Sequence, residues 1–330
     1  MSVEIRVASD KDAALWDRLV GSSPHGTIFH TWKWLKIAEK HSFTKLYPLI
    51  LFNEGTPVGI MPLFYKRKIF RLAFSPPPNV AIPFLGALIN PEGRDVYHDI
   101  VNAINNFVFN ELKAGYLTAV LPPHQNDVRP YIKTGYQIDP VFNYVFDLTL
   151  GKEALWRNLK KKTRRNIDKA KSRLNVVEGG IEDLRLIYSQ LKQRYEEQRR
   201  RMSCSLEYLE EIYDNFKDNI QILVAEMNGE KVAGLVNIIY KDRIYSWVGN
   251  AKVDLDVYPN DLLIWGSIEY GCDAGFKTFY EIGAGDPRLA RYKSNFNPNL
   301  IVNFNVKKSS PLLSIVEKTY LKYLRNYVSV

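Results

Sequence analysis

The feature that most constrains this chain is that it carries the same α/β unit twice. The segment 49–59 holds an apolar run, an Asn53-Glu54-Gly55 turn and a second strand opening on Val58-Gly59. The segment 224–234 repeats it with Asn228-Gly229 and Ala233-Gly234. Two apolar runs joined by a short Asn/Gly turn read as a β-hairpin. One constant offset relates Asn53 to Asn228, Gly59 to Gly234, Tyr65 to Tyr240, Lys66 to Lys241 and Ile69 to Ile244. A second constant offset relates Ala114-Gly115-Tyr116 to Ala274-Gly275-Phe276, and Asn143-Tyr144 to Asn303-Phe304. Two blocks in the same order, each at its own offset, favour duplication over chance. The first copy then has the longer middle, in the Pro-rich stretch from Ser75 to Pro83.

Each copy reads in the same order. A helix (32–39; 206–216) precedes three strands (46–74; 220–249), an amphipathic helix (97–112; 262–273), a short strand (116–121; 279–282) and a last apolar strand (141–148; 300–306). Strands that lead into a helix and then into more strands predict a mixed sheet with helices packed on it, so the fold class is α/β. At 330 residues the chain suits two domains, 1–150 and 151–330. Gly115 and Gly275 read as C-cap glycines between helix and strand.

Hydrophobic residues make up 46% of the chain and charged residues 25%, the balance of a globular protein. The apolar stretches at 28–35 and 80–89 are too short to span a bilayer, and the first residues lack signal-peptide character. A cytoplasmic protein is expected. Two cysteines, Cys204 and Cys272, make no disulfide framework, and neither they nor the five scattered histidines have the spacing of a metal site. The net charge of +9 favours an anionic partner: RNA, a nucleotide, a phosphorylated lipid or a membrane surface.

The join between the copies is densely cationic. From Trp156 to Arg173, nine Lys or Arg accompany one acid, Asp168, while Trp156, Leu159, Thr163, Ile167, Ala170 and Leu174 recur at helical spacing. This predicts one basic amphipathic helix over 153–174. Like charges at that spacing repel, so phosphate binding is favoured slightly over a solvated face. A second segment, a helix beginning near Glu182 and the stretch through Arg199-Arg200-Arg201, is more balanced in charge and reads as a solvated helix and loop whose basic end could extend the patch. Further on, Gly283-Ala284-Gly285 allows close approach of backbone to a ligand, and Lys293 stands between Tyr292 and Phe296. There it serves an anionic transition state or a phosphate, or else reaches water.

Three of these stretches, taken together, resemble a known group. The run Leu159-x-x-x-Thr163-Arg164-Arg165-Asn166-Ile167, the segment Tyr258-Pro259-Asn260-Asp261-Leu262-Leu263-Ile264-Trp265 and the ending Leu289-x-x-Tyr292-Lys293-x-x-Phe296 resemble the Fem-type (FemAB-like) branch of the GNAT acyltransferase superfamily. The opening Phe29-His30-Thr31-x-x-Trp34-Leu35-Lys36 is similar to that family's N-terminal signature.

The resemblance implies two GNAT-like domains in tandem, each a mixed, mostly antiparallel sheet flanked by helices, the first on the acceptor side and the second on the donor side. It implies an N-acyltransferase that moves an aminoacyl or acyl group from an activated ester or thioester to an amine of a cell-envelope precursor or glycan. By that resemblance Lys293, preceded by Tyr292, is the catalytic candidate for the oxyanion or leaving oxygen, and the residues themselves offer Asp261, Glu281 or Asp286 as partners for the amine. Lys36, Trp34, Lys161, Arg164, Arg165, Tyr258 and Asn260 are the substrate-binding candidates. Tyr292 stands where the family commonly has Phe.

No permanently bound cofactor is expected, and aminoacyl-tRNA and acyl-CoA both stay open as cosubstrate. A Gly-rich pyrophosphate loop is not evident before Asp261, where Gly249-Asn250-Ala251 is the small-residue turn. A long heptad hairpin between Ile181 and Phe216 is also missing. The expected acceptor is a phosphate-bearing small molecule or a lipid-linked precursor, with tRNA as an open partner and DNA not among them. No Ser/His/Asp or Cys/His arrangement is visible, so transfer is expected to be direct. Two alternatives stand beside this: a CoA-dependent N-acetyltransferase of a sugar or small amine, and a non-catalytic RNA- or membrane-binding protein. The tail from Leu312 to Leu324 reads as a basic amphipathic helix that packs on its own domain or touches the inner membrane surface.

Overall fold

A computed structural model of the chain describes residues 3–249, 251, 253 and 255–323, with side chains to Glu317 in the last helix. Asn250 of the small-residue turn and Leu324 of the tail lie outside the described residues.

The first copy runs β1 (Val3–Val7), α1 (Ala13–Ser22), α2 (Trp32–Ser42), β2 (Lys45–Asn53), β3 (Thr56–Arg67), β4 (Arg71–Ser75), β5 (Leu88–Ile89), α3 (Tyr97–Asn105), β6 (Tyr116–Val120), α4 (Arg129–Lys133) and β7 (Gln137–Asp147). Two short helices follow, α5 (Lys152–Asn158) and α6 (Lys161–Lys171). The second copy runs β8 (Asn175–Glu178), α7 (Ile181–Glu197), α8 (Leu206–Asn215), β9 (Ile220–Met227), β10 (Glu230–Tyr240), β11 (Arg243–Gly249), α9 (Pro259–Asp273), β12 (Thr278–Glu281), α10 (Pro287–Lys293), β13 (Asn299–Ser309) and α11 (Pro311–Tyr323).

The duplication is visible strand by strand. One compact unit has the order β1-β2-β3-β4-β6-β13, and the other β8-β9-β10-β11-β12-β7. Within each, neighbours are antiparallel except for one parallel pair, β4 with β6 (Leu72–Ser75 beside Tyr116–Ala119) and β11 with β12 (Arg243–Ser246 beside Thr278–Glu281). The expected Pro-rich insertion lies between β4 and α3, and its β5 pairs with Gly59 and Ile60 of β3.

The units are not the two continuous halves expected. One comprises residues 3–141 with 302–323, and the other residues 142–301. Residues 305–309 of β13 pair with β6, and Tyr144–Asp147 of β7 pair with β12. The terminal apolar strand of each copy therefore completes the sheet built by the other copy, a partner choice that no hydrophobic pattern encodes.

In the first unit Leu49, Leu51, Met61 and Leu63 pack with Ile100, Val101 and Ile104 of α3 and with Val306 of β13. Ile50, equally buried, points to the opposite face by the alternation of a strand, so β2 is covered on both sides. The helix expected over 97–112 changes pitch, becoming a π-helical turn at Asn106–Glu111. Gly275 takes the left-handed conformation expected of a cap, with φ +78°. Gly115 does not, and Lys113 adopts it instead (φ 54°). A Cβ on Gly115 would stand 2.7 Å from Leu313 Cδ1, so glycine there admits α11. That helix packs on its own unit through buried Leu313 and a Tyr116–Glu317 hydrogen bond of 3.1 Å.

The single basic helix expected over 153–174 is two helices. Leu159 and Lys160 are extended, with ψ 143° each, and the Lys160 amide donates to the Asn295 carbonyl at 3.2 Å. The apolar stripe is as expected: Leu155, Leu159, Thr163, Ile167, Ala170 and Leu174 are all buried. Among the described residues, no helix is long and apolar enough to cross a membrane, and no group of three or more His, Cys, Asp or Glu could hold a metal ion.

Candidate active site

Asn295 fixes the start of α6. Its carbonyl also accepts from Thr163 Oγ1 at 3.1 Å, which ties the first turn of α6 to the turn after α10. One turn further, Asn166 Nδ2 donates to Asp261 Oδ2 at 2.8 Å. Asp261 sits in the first turn of α9, which opens on Pro259, and its other oxygen accepts from the Tyr292 hydroxyl at 2.8 Å. Tyr292 is carried by α10, whose N-cap Asp286 accepts from the amides of Arg288 (2.9 Å) and Leu289 (3.1 Å). Three short helices thus converge on one carboxylate.

Asp261 is 5% exposed, and burial raises its pKa above the usual carboxylate range against the opposing pull of Asn166, Tyr292 and Lys162. Burial and the adjoining carboxylate push the Tyr292 phenol well above its ordinary value, so it remains a donor. Around them is a cavity of about 210 Å³ lined by Lys162, Thr163, Asn166, Tyr258, Tyr292 and Phe296 together with Asp261 and Asn295. Tyr292 and Phe296 meet edge to face at 6.0 Å.

A second cavity, of about 370 Å³, shares Tyr292 as a wall. Arg194, Arg200, Arg288, Tyr195 and Asn260 line it, beside Gly249 and Ala251 at the end of β11. Asn260 Nδ2 donates to the Ala251 carbonyl at 2.9 Å and so holds the segment leading into α9. A larger hollow of about 480 Å³ lies against α5, α6 and α9, and part of its lining is self-paired. Trp156 and Trp265 pack at 4.8 Å, and Lys171 bonds Glu269 at 3.0 Å.

Lys293 is buried, and its ammonium forms an ion pair with Glu281 at 3.0 Å. It also donates to the carbonyls of Ile282 and of Gly283, the latter at 3.3 Å. An ammonium has three donors, so all three are engaged in holding the turn between β12 and α10. Lys293 lines neither cavity.

Of the residues singled out from the sequence, Asp261, Tyr292 and Tyr258 share the small cavity, and Asn260 lies on the larger one. Lys161 and Arg165 are exposed on α6, and Arg164 Nη1 donates to the Arg157 carbonyl at 3.0 Å. Lys36 belongs to the other unit, exposed and paired with Glu39 at 2.9 Å. Trp34 cannot bind substrate as expected: it is fully buried, its ring packed against Phe29 at 5.1 Å, because its aromatic bulk serves the core under α2. Sequence reasoning passed over Asn166, Lys162, Arg194 and Arg288 as site residues, and of the second cavity's arginines it singled out Arg200, as part of the basic patch. Asn166 stood inside a quoted motif, one turn from Lys162, and that spacing was its only signal.

The crowding of cations on α6 is partly answered by the fold. Asp256 pairs with Lys169 (2.9 Å) and Glu269 with Lys171, which neutralises the C-terminal half. Among the described residues no carboxylate lies within ion-pair distance of Lys161, Lys162, Arg164 or Arg165. These sit at the positive end of the helix, where further cations are disfavoured.

A β-sheet with one parallel pair between β11 and β12, a helix crossing between them and a duplicated copy of the same layout define a tandem fold of the GNAT acyltransferase type. Residues 156–294 match the family described as acetyltransferase (GNAT) domain. The likeness to the Fem-type branch holds at the level of fold. FemX superposes with a TM-score of 0.72 at 13% identity, over 95% of this chain and 100% of that one. The C-terminal domain of a protein from Agrobacterium fabrum described as a lysylphosphatidylglycerol synthetase gives 0.56 at 12% identity, covering 94% and 96%. A tandem GNAT protein from the clavulanic acid biosynthesis pathway also gives 0.56 at 12% identity, covering 94% and 99%. No curated protein sequence matches the chain.

Proposed function

We propose that this chain is an acyltransferase that moves an aminoacyl or acyl group from an activated ester or thioester to an amine of a phosphate-bearing cell-envelope precursor or glycan. The observation that carries the reading is the pair of cavities meeting at Tyr292, one built on a buried carboxylate and the other on three arginines. Arginine forks suit phosphate, and the bare cationic start of α6 adds to that preference. In the reaction the C–N bond forms as the C–O or C–S bond breaks. The amine gives up a proton, and the leaving oxygen or sulfur takes one. Rate enhancement comes from holding both partners in register. Lys293 acts here as a positioning residue that fixes the turn from which α10 carries Tyr292.

The fold shared with FemX and with the lysylphosphatidylglycerol synthetase domain supports an aminoacyl donor and a lipid-linked or cell-wall acceptor at the membrane surface. The acetyltransferase family match favours a second donor, acyl-CoA. Incubating the purified protein with labelled aminoacyl-tRNA and, separately, with labelled acetyl-CoA against phosphorylated amine acceptors separates the two. The expected result is transfer from one donor class. Asp261→Asn is expected to lower kcat/KM by about 10²-fold, and Arg200→Glu with Arg288→Glu to raise the acceptor KM. Absence of transfer from both donors, or a fully active Asp261→Asn protein, defeats the proposal.

A further inference from the structure

We infer that the small cavity is a recognition pocket for a primary ammonium group, that of a single amino-acid residue carried by the donor. Asp261 is the first ground. Both its oxygens are met by neutral donors, Asn166 and Tyr292, and among the described residues no ammonium or guanidinium stands within ion-pair distance of it. Buried carboxylates ordinarily have a cationic or metal partner. A cation entering the cavity would be the first ion-pair partner of this carboxylate among the described residues.

The walls are the second ground. Tyr258, Tyr292 and Phe296 surround the carboxylate, and aromatic faces attract an ammonium while shedding the water around it. Asn295 and Thr163 add polar atoms for its remaining hydrogens. Burial raises the pKa of Asp261, and an arriving cation would oppose that shift by favouring the charged carboxylate.

Size and the opposing charge narrow the ligand. At about 210 Å³ the cavity is smaller than the roughly 300–1,000 Å³ of sites for drug-sized ligands, so one amino-acid residue fits and a nucleotide does not. Lys162 lines the same cavity from the exposed first turn of α6. Its cation disfavours a dication but suits a ligand with an electronegative carbonyl or phosphate next to its ammonium, the arrangement of an aminoacyl ester. A plain acetyl group has nothing for Asp261 to hold.

The assignment deepens the transferase reading, and its test needs no turnover. Calorimetry on the full chain compares L-alaninamide with its neutral isostere propionamide, and butylamine with butanol. Each cation is expected to bind at least about tenfold more tightly than its neutral mate, the scale of a charge-assisted hydrogen bond. Asp261→Asn is expected to erase the difference. Preference for alaninamide over butylamine supports the assignment to the donor, and the reverse overturns it.

Equal binding within each pair by the unaltered protein, no detectable binding of either cation, or a preference that survives in folded Asp261→Asn overturns the pocket. The first two outcomes need no variant to fold. A chain that binds the cations yet transfers nothing refutes the transferase reading and leaves the pocket standing.

Discussion

His30 has no exposed surface, yet it is titratable. Its Nε2 donates to the Leu85 carbonyl at 2.9 Å, and Nδ1 accepts from Thr27 Oγ1 at 2.8 Å, so the neutral ring joins the turn before α2 to the Pro-rich insertion. Burial lowers its pKa from 6.5 to about 4. The unfolded chain takes up the proton first, so the full stability is present above pH 6.5 and is lost as pH falls from 6.5 toward 4. The loss amounts to about 3 kcal/mol. His30→Gln is expected to flatten this part of the stability–pH curve measured by urea unfolding between pH 7 and 4. An unchanged slope would place the acid sensitivity elsewhere. His30 lies within a quoted motif, but its role as an internal strut comes from Leu85, far along the chain. The same holds for Glu281, whose carboxylate the fold pairs with Lys293.

At the level of elements, the repeated glycines show how equal sequence positions acquire unequal reasons. Gly59 and Gly234 both stand near the start of the second hairpin strand. A Cβ on Gly59 would overlap the Leu88 carbonyl oxygen of β5, whereas one on Gly234 would overlap the end of the Ile187 side chain of α7. Backbone in a sheet cannot retreat, but a side-chain terminus can rotate. Gly59→Ala is therefore expected to destabilise by about 1–3 kcal/mol or more, and Gly234→Ala by less, with Ile187→Val restoring most of the latter. Chemical denaturation of the three variants checks the order. The hairpins, α2, α8 and the last strands were legible because apolar periodicity marks them, whereas α9 is a helix but not the amphipathic one expected, since Asp261 to Trp265 are buried in succession. The break between α5 and α6 was not legible, because the apolar stripe continues through Leu159 while the amide of Lys160 is captured by Asn295.

For the whole molecule, the last strand is the decisive element. Val306 belongs to the core of the first unit, and Leu313 of α11 covers Gly115 there. A chain ending before Asn299 would leave β6 without its β13 neighbour. Its β6 amides are expected to exchange hydrogen with solvent orders of magnitude faster, while those of β9 and β10 keep their protection. Uniform loss of protection in both sets would show instead that the chain unfolds as one piece.

By itself the sequence determined the duplication, the α/β class, the position of the insertion and the apolar stripe of α6. Each is written in periodicity, which is local, and turn residues need no distant partner to act. Only the tertiary structure decided which sheet each final strand completes and which acids neutralise the basic helix. It also decided that Lys293 is bound to Glu281 while Asp261 gathers Asn166 and Tyr292 around a cavity. These depend on contacts between residues far apart in the chain, where pairing is set by geometry and burial.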